Sequence, residues 1–357
     1  MITKYTDILK RIDLINPVQY ARTRNFIDGS VSMLSPFISR GVISTKQVFQ
    51  NLKEKEYHFN EIEKFVQELA WRDYWQLIWQ LKDINKDIKN IQTDVNENGI
   101  SKCITDAKTG INVLDSSIKE LYKTGYMHNH LRMYIAFLAT NIAKFRWNDP
   151  ANWMYFYLLD GDLASNSLSW QWVCGANSNK KYIANQDNIN KYTKVIQKNT
   201  FLDTSYDVIS EMSQPEIFSE ISKEIRETNF PESDQLIFND NKDICVYNYY
   251  NLDPVWRNDI DAHRILLIEP SIFKKYPISD NSMNFMLELS KNIKDIKVFV
   301  GEFQDIPKKS NNIFFKEHPL NFNYKGIEDN RDWLCSVKGD FPSFFKFWNN
   351  VKKEIKF

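Results

Sequence analysis

Two stretches decide how this chain is read: GYMHNHLRMYIAFLATNIAKF at 125–145 and WMYFYLLDGDLASNSLSWQWVCG at 153–175. Both have helical periodicity, yet polar residues stand where a plain core helix would carry apolar ones. Asn129, Arg132, Met133 and Ala136 share one helix face. Asp160-Gly161-Asp162 is a turn feeding a second helix, on which Asp162, Asn166 and Trp170 follow at i, i+4 and i+8. Two carboxylates, an amide, an arginine and a tryptophan thus converge on a helical scaffold. Burying so many polar groups is costly unless each finds a partner. A large polar ring system with donors and acceptors would supply one. The plain alternative is two core helices joined by a structural Asp–Arg pair.

The literal strings narrow the choice. YMHNHLRM at 126–133 and DGDLASNSLSWQW at 160–172 resemble the FAD-binding domain of DNA photolyases and cryptochromes. Two positions depart: Tyr126 stands for the family's usual Trp and His130 for a usual Arg. The resemblance runs over about residues 15–195 and rests on two long, separately spaced motifs. It implies that Asn166 faces flavin N5, that Asp162 accepts from the ring N3–H, and that Asp160 and Arg132 pair beside the ring. Asn129 and Met133 are implied at the ring and the substrate. Photolyases for the other common lesion usually have His at those two positions, so the resemblance leans to cyclobutane pyrimidine dimers.

Two further segments extend it. YARTRNFIDGSVSMLSPFISRGVISTKQVF, at 20–49, is similar to the family's loop on the FAD diphosphate, with Ser32, Leu34 and Ser35 at matching positions and Tyr20 on the adenosine side. Hydroxyls and free N–H groups at a helix start suit a diphosphate. Val31 and Met33 replace a usual Thr and Arg, which weakens the expected grip. Without the resemblance, the segment is a serine-rich loop with Ser44 as an N-cap. EIEKFVQELAWRDYWQLIWQL, at 61–81, reads as a strong helix with Glu68, Trp71, Arg72 and Trp75 on one face. The resemblance gives Glu68 a hydrogen bond to a dimer base and Arg72 a place closing the flavin site. It makes Trp71 and Trp172 the walls of a base-sized slot. An aromatic stripe is also what a core-facing helix carries. Phe65 replaces a usual Trp and keeps its bulk.

The family's electron-transfer chain has three tryptophans. Trp170 and Trp147 match the inner two, but no Trp occurs between 80 and 146. The chain is expected to be shortened, or completed by Trp75, Trp79 or Tyr126.

Composition sets outer bounds. With 357 residues there is room for two domains. Aromatics make up 14%, with 10 Trp. The 4 Cys, at 103, 174, 245 and 335, form no CxxC pair, so neither a zinc nor an iron–sulfur site is expected and no metal is assigned. Free thiols, a charged amphipathic N-terminus and no long apolar run predict a cytoplasmic protein without a membrane span. Net charge is zero, but residues 1–200 hold 26 Lys+Arg against 20 Asp+Glu, an excess offset by the remainder. One mildly basic half permits contact with phosphates.

Past residue 200 the pattern changes. Residues 201–240 are acidic and read as a helix plus linker, with Pro231 near the boundary. From 241 to 357, the runs ICVYNYY, RILLIEP, IKVFVGEF and NIFFKEHP read as strands. SDNSMNFMLELSKNI, capped by Ser279 or Asp280, and FPSFFKFWNNVKKEIK read as helices. Strands alternating with helices predict a small, mostly parallel α/β sheet. Its order of elements is loosely similar to the antenna domain that ordinary photolyases carry before the flavin domain, here placed after it. The expected organisation is a helical FAD-binding domain at 1–200, a linker at 201–240 and an α/β domain at 241–357. No glycine-rich phosphate loop is present, so the antenna chromophore is left unknown.

The resemblance implies a light-driven enzyme using FAD on DNA that contains pyrimidine dimers. The rival expectation is a cryptochrome-type photoreceptor signalling through a partner. A third is a scaffold that has lost FAD, which the intact Arg132, Asp160, Asp162 and Asn166 disfavour. The sequence leaves the oligomeric state open.

Overall fold

The computed structural model describes residues 1–237, 239, 241–306 and 312–356. The chain divides into two compact units that do not follow the expected linear cuts at 200 and 240. One comprises Met1–Pro17, Ser32–Gln80 and the described residues from Glu227 on; the other comprises Val18–Val31 and Leu81–Arg226. We call them the sheet unit and the helical unit.

The sheet unit contains helices α1 (Tyr5–Asp13), α3 (Ser35–Ser39), α4 (Thr45–Glu54) and α5 (Phe59–Leu81). Helices α13 (Pro270–Lys275), α14 (Asp280–Ser290) and α15 (Phe344–Ile355) follow among its strands. Five parallel strands stand in the order β3-β2-β1-β4-β5: β1 (Asp243–Tyr247), β2 (Ala262–Ile268), β3 (Ile296–Val300), β4 (Ile313–Lys316) and β5 (Ile327–Asp329). The first four are the expected apolar runs. β5 was not expected, because its three residues carry no alternation and two of them are exposed. Ile244, Val246, Ile265, Leu267 and Phe315 form the core of the sheet. Both helix caps hold: Ser44 accepts from Gln47 N at 3.0 Å, and Ser279 from Ser282 N at 3.4 Å.

The early helices belong to this unit because their side chains meet residues late in the chain. The Arg40 guanidinium lies 3.4 Å over the Tyr249 ring, and Leu252 N donates to Arg40 O at 2.9 Å. Gly41 has φ +64, and a Cβ there would fall 2.3 Å from the Tyr250 carbonyl oxygen, so only glycine fits. Asp73 on α5 is buried and accepts from Thr45 Oγ1 at 3.1 Å and from Leu334 N at 2.7 Å.

The helical unit holds α2 (Pro17–Thr23, from Val18 on), α6 (Lys102–Thr105), α7 (Asn112–Thr124), α8 (Asn129–Phe137), α9 (Asn148–Tyr157), α10 (Leu163–Cys174), α11 (Gln186–Thr193) and α12 (Tyr206–Ser210). Helix α10 packs against both α8 and α9, in a core that includes Tyr134, Ile135, Trp147, Trp153 and Trp170. Helix α9 begins at Asn148 with Pro150 in its first turn, where its missing N–H costs nothing. The expected 201–240 linker contains α12 and a 3₁₀ turn at Glu216–Phe218, and the unit boundary falls at Arg226, before Pro231. Among the described residues, no helix is long and apolar enough to cross a membrane.

Candidate functional site

The helical unit gathers the polar residues of both decisive stretches. Gly125, in the left-handed conformation at φ 70, ends α7, and its carbonyl accepts from Leu159 N at 2.9 Å. That bond ties the start of one motif to the start of the other. Arg132 Nη2 then reaches Asp160 at 3.0 Å to each carboxylate oxygen, while its Nε donates to Met127 O at 2.8 Å. The arginine is thereby held at both ends of its fork. Asp162 is buried and caps α10, accepting from Ser165 N at 2.7 Å. Asn166 donates through Nδ2 to Ala151 O at 2.8 Å, which fixes its amide plane and turns Oδ1 the other way. Asn129 is exposed at the start of α8, and Met133 is half-buried one turn further on.

The two departures from the usual strings are both packing residues here. His130 is 9% exposed and its ring packs on Tyr134 and Tyr192 at 4.9 and 4.5 Å. Burial pushes its pKa down to about 4, with a smaller push from His128. It is a neutral ring where the usual residue is a fixed cation. Tyr126 is half-buried, and burial raises its phenol above the ordinary value.

Trp170 and Trp147 are both buried in the core of the helical unit. Sequence reasoning missed the residue that holds Trp147: Asp87, whose Oδ1 accepts from the indole Nε1 at 2.7 Å and whose Oδ2 lies 2.8 Å from Arg146. Asp87 sits in a lysine-rich loop, where a carboxylate gives no sequence signal. Trp172 is 40% exposed, with its ring 5.9 Å from Tyr182. Tyr20, on α2, is half-buried, with the Arg24 guanidinium 5.9 Å from its ring.

The sheet unit carries the other group. Ser32 Oγ accepts from Leu34 N at 3.4 Å, and Ser35 opens α3. Between them Met33 adopts φ 55, a strained conformation for a side chain of this kind. On α5, Glu68 is half-exposed with Lys64 at 3.5 Å, and Arg72 donates to Ser39 Oγ at 2.6 Å. Trp71 is half-buried, and one face of its ring is covered. Its ring stacks on Phe344 of α15, with centroids 3.6 Å apart and planes 9° apart, and leans on Trp75 at 4.7 Å. A ring face covered by a phenyl group cannot hold a base at the same time, so the slot wall expected at Trp71 is filled by the protein itself. A 273-residue separation left no signal for that contact.

A groove of about 650 Å³ also opens in the sheet unit, lined by Lys242, His263, Arg264, Lys294 and Lys297 among others. It lies at the N-terminal ends of the strands, opposite the edge where parallel sheets bind ligands. Lys242 is paired there with Asp261 at 2.7 Å.

Residues 65–231 match the FAD binding domain of DNA photolyase. The deoxyribodipyrimidine photo-lyase of Agrobacterium fabrum is 29% identical over 154 residues, which is 41% of this chain and 32% of that protein. That of Alkalihalophilus pseudofirmus is 30% identical over 161 residues, 43% of this chain and 33% of the relative. Cryptochrome-1 of Sinapis alba is 24% identical over 175 residues, 44% and 35%. Residues 65–231, a little under half of the chain, are similar to the FAD-binding domain of the DNA photolyase and cryptochrome family. It spans about a third of the length of the curated relatives it matches. Residues 65–231 include α8 to α10, and FAD is the cofactor that the matching domain is described as binding.

Proposed function

We propose that this chain is a light-driven flavoprotein that repairs cyclobutane pyrimidine dimers in DNA. The observation that carries the reading is the polar end of α10: Asp160 clamped by Arg132, Asp162 buried at the cap, and Asn166 fixed through Ala151. The donor set suits FAD. A carboxylate at Asp162 can accept from a ring N–H, the Asn166 amide can face N5, and the Arg132–Asp160 pair is polar but internally neutralised. Ser32, Leu34 and Ser35, with Tyr20, are assigned to the diphosphate and adenosine end, and Arg72 and Asn129 to the flavin as well.

When bound and reduced, FAD supplies an electron to the dimer on absorbing light and takes it back once the dimer has split. The protein's part is placement. Arg132 and Asp160 hold their geometry without help from solvent. Asn166 keeps one amide orientation because Ala151 O takes its N–H. Glu68 is assigned a hydrogen bond to the base edge of the dimer, and Trp172, Met133 and Asn129 are assigned to the substrate as well. Trp170 and Trp147 are assigned the relay that restores reduced FAD. The dimer must leave the helix to be reached, which weakly stacked lesions do at least cost.

The test is the absorption spectrum of the purified protein after reconstitution with FAD, followed by repair of an irradiated oligonucleotide under blue light. A flavin spectrum and restored thymines are expected. A protein that stays colourless ends the flavin assignment, and a yellow protein that leaves dimers intact ends the repair reading. One observation favours a second reading, a photoreceptor acting through a partner: Phe344 covers the ring face of Trp71, and a photoreceptor needs no lesion slot.

A further inference from the structure

We propose that α15 is a removable plug and that Phe344 stands in for a nucleobase on Trp71. This rests on the repair reading above. All the residues involved lie in the sheet unit.

The contact has the geometry of base stacking rather than of ordinary side-chain packing. Aromatic side chains in cores prefer offset-stacked or edge-on arrangements to a face-to-face sandwich, with centroids some ~4.5–7 Å apart. The other rings around Trp71 follow that rule: Tyr74 is edge-on at 5.7 Å and Trp75 tilted at 4.7 Å. Phe344 alone of these lies flat, at 3.6 Å and 9°. A flat ring at van der Waals distance is how a base sits on an indole in single-strand binding sites. Phe344 itself is 2% exposed, while Trp71 is half-buried.

The plug is built to come away as one piece. It begins at Ser343, whose Oγ accepts from Lys346 N at 3.4 Å, and runs to Ile355. The segment before it, 336–343, has no regular structure. Most of the docking surface is apolar: Phe347 lies 5.5 Å from the Tyr74 ring at 28°, and Phe347, Trp348 and Val351 are buried, while Tyr74 Oη donates to Phe341 O at 3.2 Å and Ser336 N and Oγ donate to Glu354 at 2.7 Å each. An ion pair, Lys352 with Glu63 at 3.1 Å, joins α15 to α5. An incoming base would exchange one stacking partner of Trp71 for another. Apparent affinity for the lesion is then the intrinsic affinity reduced by the fraction of molecules with α15 released.

The experiment uses the full chain loaded with FAD. A dimer-containing single-stranded oligonucleotide and its undamaged twin are titrated at fixed salt into wild type, Phe344→Ala, Phe344→Leu and Trp71→Ala. Hydrogen exchange of residues 344–355 is followed in wild type with and without each oligonucleotide. Phe344→Ala is expected to bind the dimer strand about tenfold more tightly than wild type, with Phe344→Leu between them. Trp71→Ala is expected to bind about tenfold more weakly. The α15 amides are expected to exchange faster when the dimer strand is bound. Unchanged exchange across α15 in dimer-bound wild type overturns the proposal, and this measurement needs no variant to fold. If Trp71→Ala weakens binding while Phe344→Ala leaves it unaltered, the plug is wrong and the repair reading stands. If wild type and Trp71→Ala bind both strands alike, the repair reading fails, and the plug fails with it.

Discussion

The polar end of α10 and the aromatic face of α5 were read from sequence by the same kind of pattern, and they turn out differently. At α10 the implied residues are held by their own neighbours: Arg132 by Asp160 and Met127, Asp162 by its cap, Asn166 by Ala151. At α5 the implied residue Trp71 is covered by a helix from the far end of the chain. The difference follows from the forces. A buried polar group needs a directional partner, so its neighbours must be of a matching type and the requirement is written nearby. A ring face is satisfied by any flat apolar surface, so nothing near Trp71 in the sequence says what covers it.

The strongest way to break the comparison is at Arg132. Removing one partner of a partly buried ion pair leaves the other charge poorly solvated, and costs about 3–5 kcal/mol. Arg132→Leu keeps the stem and removes the fork, so it should lower stability by about 3 kcal/mol, with the side chains 20% and 6% exposed. The urea midpoint reads this. A loss under about 1 kcal/mol would mean the pair is no better than a surface bridge, and the polar end of α10 would then be no more demanding than the stripe on α5.

The relay tests whether the buried tryptophans of the helical unit are core or carriers. Trp170→Phe should slow photoreduction of bound oxidised FAD at least tenfold while changing dimer repair by pre-reduced protein far less. Trp147→Phe should do the same and also free Asp87 from the indole N–H. Equal slowing in both assays would mark both residues as packing only.

Much of the fold was open to reading and some was not. Strands β1 to β4 were legible because they are apolar runs bounded by turn residues, α14 because Ser279 caps an amphipathic stretch, and α15 because FPSFFKFWNNVKKEIK reads as a helix. The division into units was not legible. It depends on contacts such as Asp73 with Leu334 and Arg40 with Tyr249, far apart in the chain and unlike any local pattern. In the candidate site, the Arg132–Asp160 pair was read as it stands. Asp87 and Phe344 were missed, since each acts through a tertiary contact that residue type alone does not announce.

A titration sharpens the sheet-unit side. Asp73 sits under the C-terminal segment, and burial raises its pKa above the ordinary value, against smaller opposing effects from Arg331, Leu334 N, Thr45 and Arg72. The folded protein therefore holds this proton more tightly than the unfolded chain does. Its contribution to stability is full below the ordinary aspartate range and declines as pH rises through the raised value. Asp73→Asn cannot titrate and mimics the protonated form. Its stability should rise relative to wild type as pH increases from about 4, with a difference in slope of at most about 1.4 kcal/mol per pH unit. Parallel profiles for the two proteins would show that Asp73 is as acidic folded as unfolded.

The smallest expected effect decides what holds α15 in place. Lys352 and Glu63 are 35% and 34% exposed and 3.1 Å apart. A pair so open to water contributes about 0.2–1 kcal/mol, because solvent screens the attraction and two long side chains lose freedom to make it. Phe347 and Trp348 are 1% and 2% exposed, and truncating a buried aromatic to alanine costs about 3–5 kcal/mol. Lys352→Ala should therefore shift the unfolding midpoint by less than about 0.5 kcal/mol, and added salt should move wild type and variant alike. Phe347→Ala should be several times worse. If Lys352→Ala instead costs more than about 1 kcal/mol and salt erases the difference, charge is what docks α15. Release of the helix would then follow ionic strength, and a DNA backbone competing for Lys352 would open the plug more readily than a base competing for Trp71.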